Sequence, residues 1–190
     1  MALVPAFFAS SASAANHEHR EHEAHAHGHG TLDIVVEGEM ALIELRMPGV
    51  NVVGFEHAPK DDADHEAVQR ALVPLQDGAS VFVLTPKANC VIEQAAADIS
   101  AVAHEDHHDD GQPGADEHGE PAADSGEEEH SELHATYQFR CGAPERLDRI
   151  ETHLLEHLHD VEEIDVRVVT PTAQLATELH EGSTVVNLTR

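Results

Sequence analysis

Between residues 100 and 132 the chain loses all apolar periodicity and fills with Asp, Glu, His, Gly and Pro. A segment of that composition cannot bury enough apolar surface to offset the entropy of ordering it. It reads as a disordered insertion, and any core must come from its two flanks, residues 31–99 and 133–190. A second polar run, residues 16–30, precedes the first flank and reads as a flexible tract.

The flanks are patterned as folded protein. Residues 31–37 (TLDIVVE) and 40–46 (MALIELR) alternate around Glu37-Gly38-Glu39, which predicts an antiparallel hairpin. NVVGFEHAP, after Pro48-Gly49, reads as an apolar strand or loop. A helix is expected from Asp62 to Gln76 with the stripe Ala67, Val68, Ala71, Leu72 and Leu75, acidic residues in its first turn, Pro74 shortening it and Gly78 beyond its end. Strands are expected at Val81–Leu84, from about Cys90, and at Leu133–Arg140. Pro144 to His159 reads as a second amphipathic helix, with Leu147, Ile150, Leu154, Leu158 and Val161 marking its buried face. Strands follow at 163–170, 173–179 and 184–189. VFVLTP at 81–86 echoes VRVVTP at 166–171, which fits either two related halves or local strand chemistry. The fold class is α+β: mainly antiparallel sheet with two helices, interrupted by the acidic insertion. Strand order cannot be read from these patterns.

A formal net charge of −27, with Lys60 and Lys87 the only lysines against 37 acidic residues, excludes nucleic acid and anionic membrane surfaces as partners. Part of that charge equally suits solubility in a salty habitat. No apolar run after the N-terminus reaches the roughly 17–25 residues of a membrane helix. A monomer that attracts cations is expected.

Residues 1–15 read as an export signal. Ala2 to Ala9 form a short apolar stretch and Ala12-Ser13-Ala14 fits the small-residue cleavage pattern, although no Lys or Arg precedes it, as if the start were truncated. In an oxidising compartment the two cysteines, Cys90 and Cys141, are most simply one disulfide across the insertion; two metal-binding thiols are the alternative. Closing a loop of about fifty residues adds about 4 kcal/mol in the chain-entropy account.

Eleven of the eighteen histidines lie in the two polar tracts. Residues 17–29 hold His17, His19, His22, His25, His27 and His29, and the second tract holds His104, His107, His108, His118 and His130, with His134 a further candidate ligand just beyond its end. Imidazole is the commonest protein ligand for zinc, and adjacent carboxylates add oxygen donors. A flexible run of imidazoles loses backbone freedom when it wraps a cation, which favours fast, stoichiometrically loose capture. A linker without a selected role, or a pH-responsive polymer, are the plainer readings.

The exported start ending HAHGHGTLDIVVEG, the segment NVVGFEHAP, the histidine-rich insertion, the paired cysteines, YQFRC and the late VVTP together resemble the ZrgA-type zinc-regulated periplasmic proteins of Gram-negative bacteria. The resemblance covers nearly all of the mature chain. It implies a periplasmic protein that binds zinc and supports its uptake through a zinc-importing ABC transporter.

Two more ordered sites are expected. His27 and His29 stand just before the first strand while Glu56 and His57 fall in GFEHAP, so folding can join the pairs into four ligands. His57 as a hydrogen-bonded structural residue is the alternative. His153 and His157, four apart on the expected second helix beside Glu156 and Asp160, can chelate one cation or simply face solvent. His153 to His157 also spells HxxEH, the string of certain zinc proteases, so a zinc hydrolase using His153, Glu156 and His157 is the alternative from another class. The sequence offers no phosphate loop, no nucleophile elbow and no substrate pocket, and a non-enzymatic zinc binder is expected. Nickel or copper can replace zinc in the same ligand chemistry, since the Irving–Williams order favours copper.

Protons compete with metal for imidazole nitrogen, so zinc uptake should fall as the pH drops below about 6. Equilibrium dialysis across a pH series measures this, and uptake that is flat with pH would contradict an imidazole-based collector.

Overall fold

The structure is a computed structural model that describes residues 27–102 and 130–189. The export segment, His17, His19, His22, His25, His104, His107, His108, His118 and the disorder expected within the insertion lie outside the described residues.

Among the described residues, nine strands form two sheets. The first hairpin joins β1 (His29–Glu37) to β2 (Met40–Pro48), with Glu37 opposite Met40 and Thr31 opposite Arg46. A short helix α1 (Val50–Val53) follows, then α2 (Asp62–Leu75), α3 (Gly78–Val81) and β3 (Phe82–Leu84). Long strands β4 (Cys90–Val102) and β5 (His130–Cys141) flank the insertion. Four short strands complete the chain: β6 (Arg149–Thr152), β7 (Glu163–Val169), β8 (Gln174–Leu179) and β9 (Val185–Asn187). The large sheet runs β4-β5-β2-β1-β7-β8 and the small one β3-β6-β9. All pairings are antiparallel except β1 with β7.

One face of the large sheet makes the core because its strands alternate with period two. Leu32, Ile34, Ile43, Leu45, Met47, Leu133, Ala135, Tyr137, Ile164 and Val166 all point inward and are buried. They pack in one cluster with Val68, Leu72 and Leu75 of α2 and with Phe82, Ile150 and Val186 of the small sheet. The rings of Phe82 and Tyr137 meet edge to face at 4.9 Å, and the buried Tyr137 hydroxyl donates to the carbonyl of Leu75 at 2.8 Å. That carbonyl belongs to the last turn of α2, where main-chain acceptors lack helical partners. The start of α2 is capped by Asp61, whose carboxylate accepts from the Asp64 amide, and the helix stops one residue after Pro74.

The α+β class and the predominance of antiparallel sheet agree with the sequence reading, and so does the Cys90–Cys141 disulfide. Four expectations change. The stretch 144–159 is not a helix: it divides into a 3-10 turn at Pro144–Arg146, strand β6 between β3 and β9, and another 3-10 turn at Leu154–Glu156. Leu147, Ile150, Leu154 and Leu158 are buried as expected, but their spacing suits a broken path as well as a helix, and the ladder with β3 and β9 decides between them. NVVGFEHAP opens as α1 and continues as a loop rather than a strand. The insertion is shorter than residues 100–132, since β4 extends to Val102 and β5 starts at His130. The N-terminal tract is also shorter: His29 and Gly30 already belong to β1, and a Cβ on Gly30 would come within 2.3 Å of the Met47 methyl and 2.9 Å of the Arg46 carbonyl. The echo between VFVLTP and VRVVTP reflects strand chemistry, because β3 lies in the small sheet and β7 in the large one.

Tyr137→Phe removes the donor to Leu75 while keeping the ring, and should lower folding stability by about 1 kcal/mol in chemical denaturation. An unchanged midpoint and slope would show that the end of α2 does not depend on this bond.

Candidate metal centre

The chain enters the described fold at His27-Gly28-His29, and Gly28 sets the direction of both imidazoles. Its φ of 82° is left-handed, and a Cβ there would sit 2.9 Å from Glu162 Cγ and 3.1 Å from the Asp160 carbonyl. The Gly28 amide donates to Asn51 Oδ1 at 3.1 Å, while its carbonyl accepts from the amides of Glu162 and Glu163 at 2.8 and 3.1 Å. With the glycine held on both sides, the His27 Nε2 meets Glu56 Oε1.

Glu56 reaches this point from the loop after α1. Its carbonyl accepts from the Ser131 amide at 2.7 Å, and the Ser131 carbonyl accepts from the Gly49 amide at 2.6 Å, so the loop is stitched to the start of β5. A Cβ on Gly49 would overlap the Ser131 side chain and lie 2.8 Å from the Ser131 carbonyl, so this backbone crossing favours glycine. The stitching puts the other carboxylate oxygen, Glu56 Oε2, 3.4 Å from His130 Nδ1. Glu56 thus stands between two imidazoles with one oxygen toward each. All three side chains are partly open to solvent, with 66, 36 and 32 % exposure for His27, Glu56 and His130. The corner is reachable by a hydrated cation.

The other expected ligands go elsewhere. His29 Nε2 lies 3.5 Å from Glu162 rather than beside Glu56. The His57 ring stacks on Phe55 at 4.8 Å, with its Nδ1 2.9 Å from the Ala58 carbonyl and 3.8 Å from Asp64, in the manner of a structural histidine. His134 is on the outer face of the large sheet, 2.7 Å from Glu44, which also accepts from Arg46 at 2.8 Å. His153 Nδ1 is 2.9 Å from Glu156 Oε1, and His157 closes the 3-10 turn with its amide on the Leu154 carbonyl. The HxxEH string therefore does not present two imidazoles on one face of an α-helix, as protease chemistry of that type requires.

Sequence reasoning placed His27 and Glu56 together but paired them with His29 and His57, and it treated His130 as a loose residue of the insertion. The signal for His130 was in the alternation of HSELHATYQF, which continues outward from Leu133 to His130. Among the described residues the donor atoms of three carboxylates, Glu163, Asp165 and Glu178, lie within 4.8 Å of one another on β7 and β8, a span that His27, Glu56 and His130 do not meet, since the two imidazoles approach opposite oxygens of Glu56. They form an acidic patch open to solvent, since Asp165 and Glu178 are exposed and Glu163 is half-buried.

Imidazole and carboxylate are ligand types that suit a divalent transition cation. The chain matches the family model described as ZrgA family zinc uptake protein over residues 24–188, and it belongs to that family. No curated protein matches it. No helix among the described residues is long and apolar enough to cross a membrane.

On the outer face of the large sheet, the surroundings of Glu44 favour its charged form. Hydrogen bonds from Arg46, and secondarily from His134, hold its carboxyl below the ordinary glutamate range. A carboxyl that titrates lower in the folded chain adds stability above the ordinary range, and loses it as the pH falls through its folded value. Glu44→Gln should therefore melt lower than the parent near neutrality, and the gap should close on acidification below the ordinary glutamate range. Thermal melts across that range check this, and a gap that persists in acid would contradict it.

Proposed function

We propose that this protein captures zinc in the periplasm with its two histidine-rich tracts, gathers it at the corner formed by His27, Glu56 and His130, and supports import through a zinc-importing ABC transporter. The single observation that carries this reading is convergence. His27 is where the first tract joins the fold, His130 is where the second returns to it, and Glu56 touches both. Val102, where β4 gives way to the insertion, is paired with His130, so all three junctions between tract and fold lie at one corner.

Two imidazoles and a carboxylate are the ligand types of three-ligand zinc sites, which leave a position open for water or an incoming donor. An open position suits a site that must both receive a cation and release it. Imidazoles of either tract can hand metal to the corner without long diffusion, because covalent tethering keeps their local concentration high. Membership of the zinc uptake family supports zinc over nickel or copper as the physiological cargo.

The test is zinc titration with competing chelators on the parent protein, on a chain lacking residues 16–26, and on Glu56→Gln. Loss of the tract should lower the number of zinc ions bound while leaving the tightest one in place. Glu56→Gln should keep the number of weak sites and weaken the tightest by at least about tenfold, the scale expected for disturbing a metal-site carboxylate. Retention of the tightest event in Glu56→Gln would overturn the corner as the site.

A further inference from the structure

We infer that Asn51 positions His27 for metal binding by fixing the peptide unit that joins His27 to Gly28. The inference rests on the corner of His27, Glu56 and His130 being the zinc site.

Asn51 sits on α1 and is almost wholly enclosed, with 2 % of its surface exposed. Its side chain uses every polar atom it has in this setting. Oδ1 accepts from the Gly28 amide at 3.1 Å, and Nδ2 donates to the carbonyls of His159 at 2.8 Å and Asp160 at 3.1 Å. Its own main-chain carbonyl accepts from the His159 amide at 2.7 Å. One planar amide thereby ties three separate segments: the stretch His27-Gly28 before β1, the turn at 159–160 and the helix that leads into Glu56. Neither Asp nor Leu can replace it, because the position needs one acceptor and two donors on the same small group.

The three ligands are not held equally. Glu56 is anchored through its own carbonyl to Ser131, and His130 through the β4–β5 ladder that begins at Val102. His27 precedes β1, whose pairing to β7 starts only at His29. The Gly28 amide belongs to the same rigid peptide plane as the His27 carbonyl, so the bond to Asn51 fixes the orientation of the unit that carries the His27 backbone. The Gly28 carbonyl stays tied to Glu162 and Glu163 without Asn51, but that bond lies on the far side of the Gly28 α-carbon. Losing Asn51 should release His27 and leave Glu56 and His130 in place.

The experiment is a double-mutant cycle on the full chain, using zinc alone as the probe and chelator competition to read the tightest affinity. His27→Ala, Asn51→Ala, the double variant and Tyr137→Phe are compared at a temperature where all are folded. Asn51→Ala should weaken the tightest zinc by about tenfold or more. The double variant should be no weaker than His27→Ala alone, because Asn51 acts through His27. Tyr137→Phe, which loses a buried hydrogen bond remote from the corner, should bind as the parent does. If Asn51→Ala does not fold, Gly28→Ala disturbs the same peptide from the other side and should show the same lack of additivity with His27→Ala. Parent-like affinity in the Asn51 or Gly28 variant, or losses that simply add to that of His27→Ala, overturns the positioning role while the zinc corner stands. Parent-like affinity in His27→Ala overturns the positioning role together with the participation of His27 in the corner.

Discussion

The pairing of β4 with β5 is the constraint on which the rest of the molecule depends. It runs from Cys90 opposite Cys141 to Val102 opposite His130, and the disulfide closes its far end. Through β5 it carries β2, and through β2 the remainder of the large sheet. A strongly acidic insertion would otherwise separate two halves that share one core. The ladder turns that insertion into an excursion that leaves and returns at adjacent residues, so its loop-closure entropy is met by backbone hydrogen bonds at its base.

The same ladder explains why the chemistry gathers at one corner. With Val102 and His130 paired, the insertion must leave the fold beside the outward-facing His130. The Ser131 amide then captures the Glu56 carbonyl, and the Gly28–Asn51 bond brings His27 to the Glu56 carboxylate. The wide outer face of the sheet plays another part. There Arg46 and His134 share Glu44, and Arg167 holds Asp33 through two bonds of 2.7 Å. These two arginines are engaged in local ion pairs, and the formal net charge of −27 leaves the chain strongly negative and able to raise the local concentration of divalent cations.

Much of the architecture was legible where the period was unambiguous. The β1–β2 hairpin, α2 with its acidic first turn, and the outer strands of the C-terminal half all follow from alternation, caps and a turn glycine. The stretch 144–159 misled because Leu147, Ile150, Leu154 and Leu158 satisfy a helical stripe, whereas partners distant in sequence, β3 and β9, settle the backbone as strand and turn. For the site, residue types and the approach of His27 to Glu56 were readable from composition and spacing. The third member was not, because the outward position of His130 depends on how far the β4–β5 ladder extends. Asn51 was invisible for the same reason: its three side-chain partners, Gly28, His159 and Asp160, are brought to it only by the parallel β1–β7 pairing.

The central claim is that one ordered corner, and not the histidine-rich tracts, takes the first zinc ion. Side-chain nuclear magnetic resonance of the histidines during addition of a single equivalent of zinc tests it most directly. The account expects the imidazole signals of His27 and His130 to shift first and to saturate together, before the tract histidines move. A first equivalent that spreads over the tract imidazoles while His27 and His130 stay unchanged would contradict it.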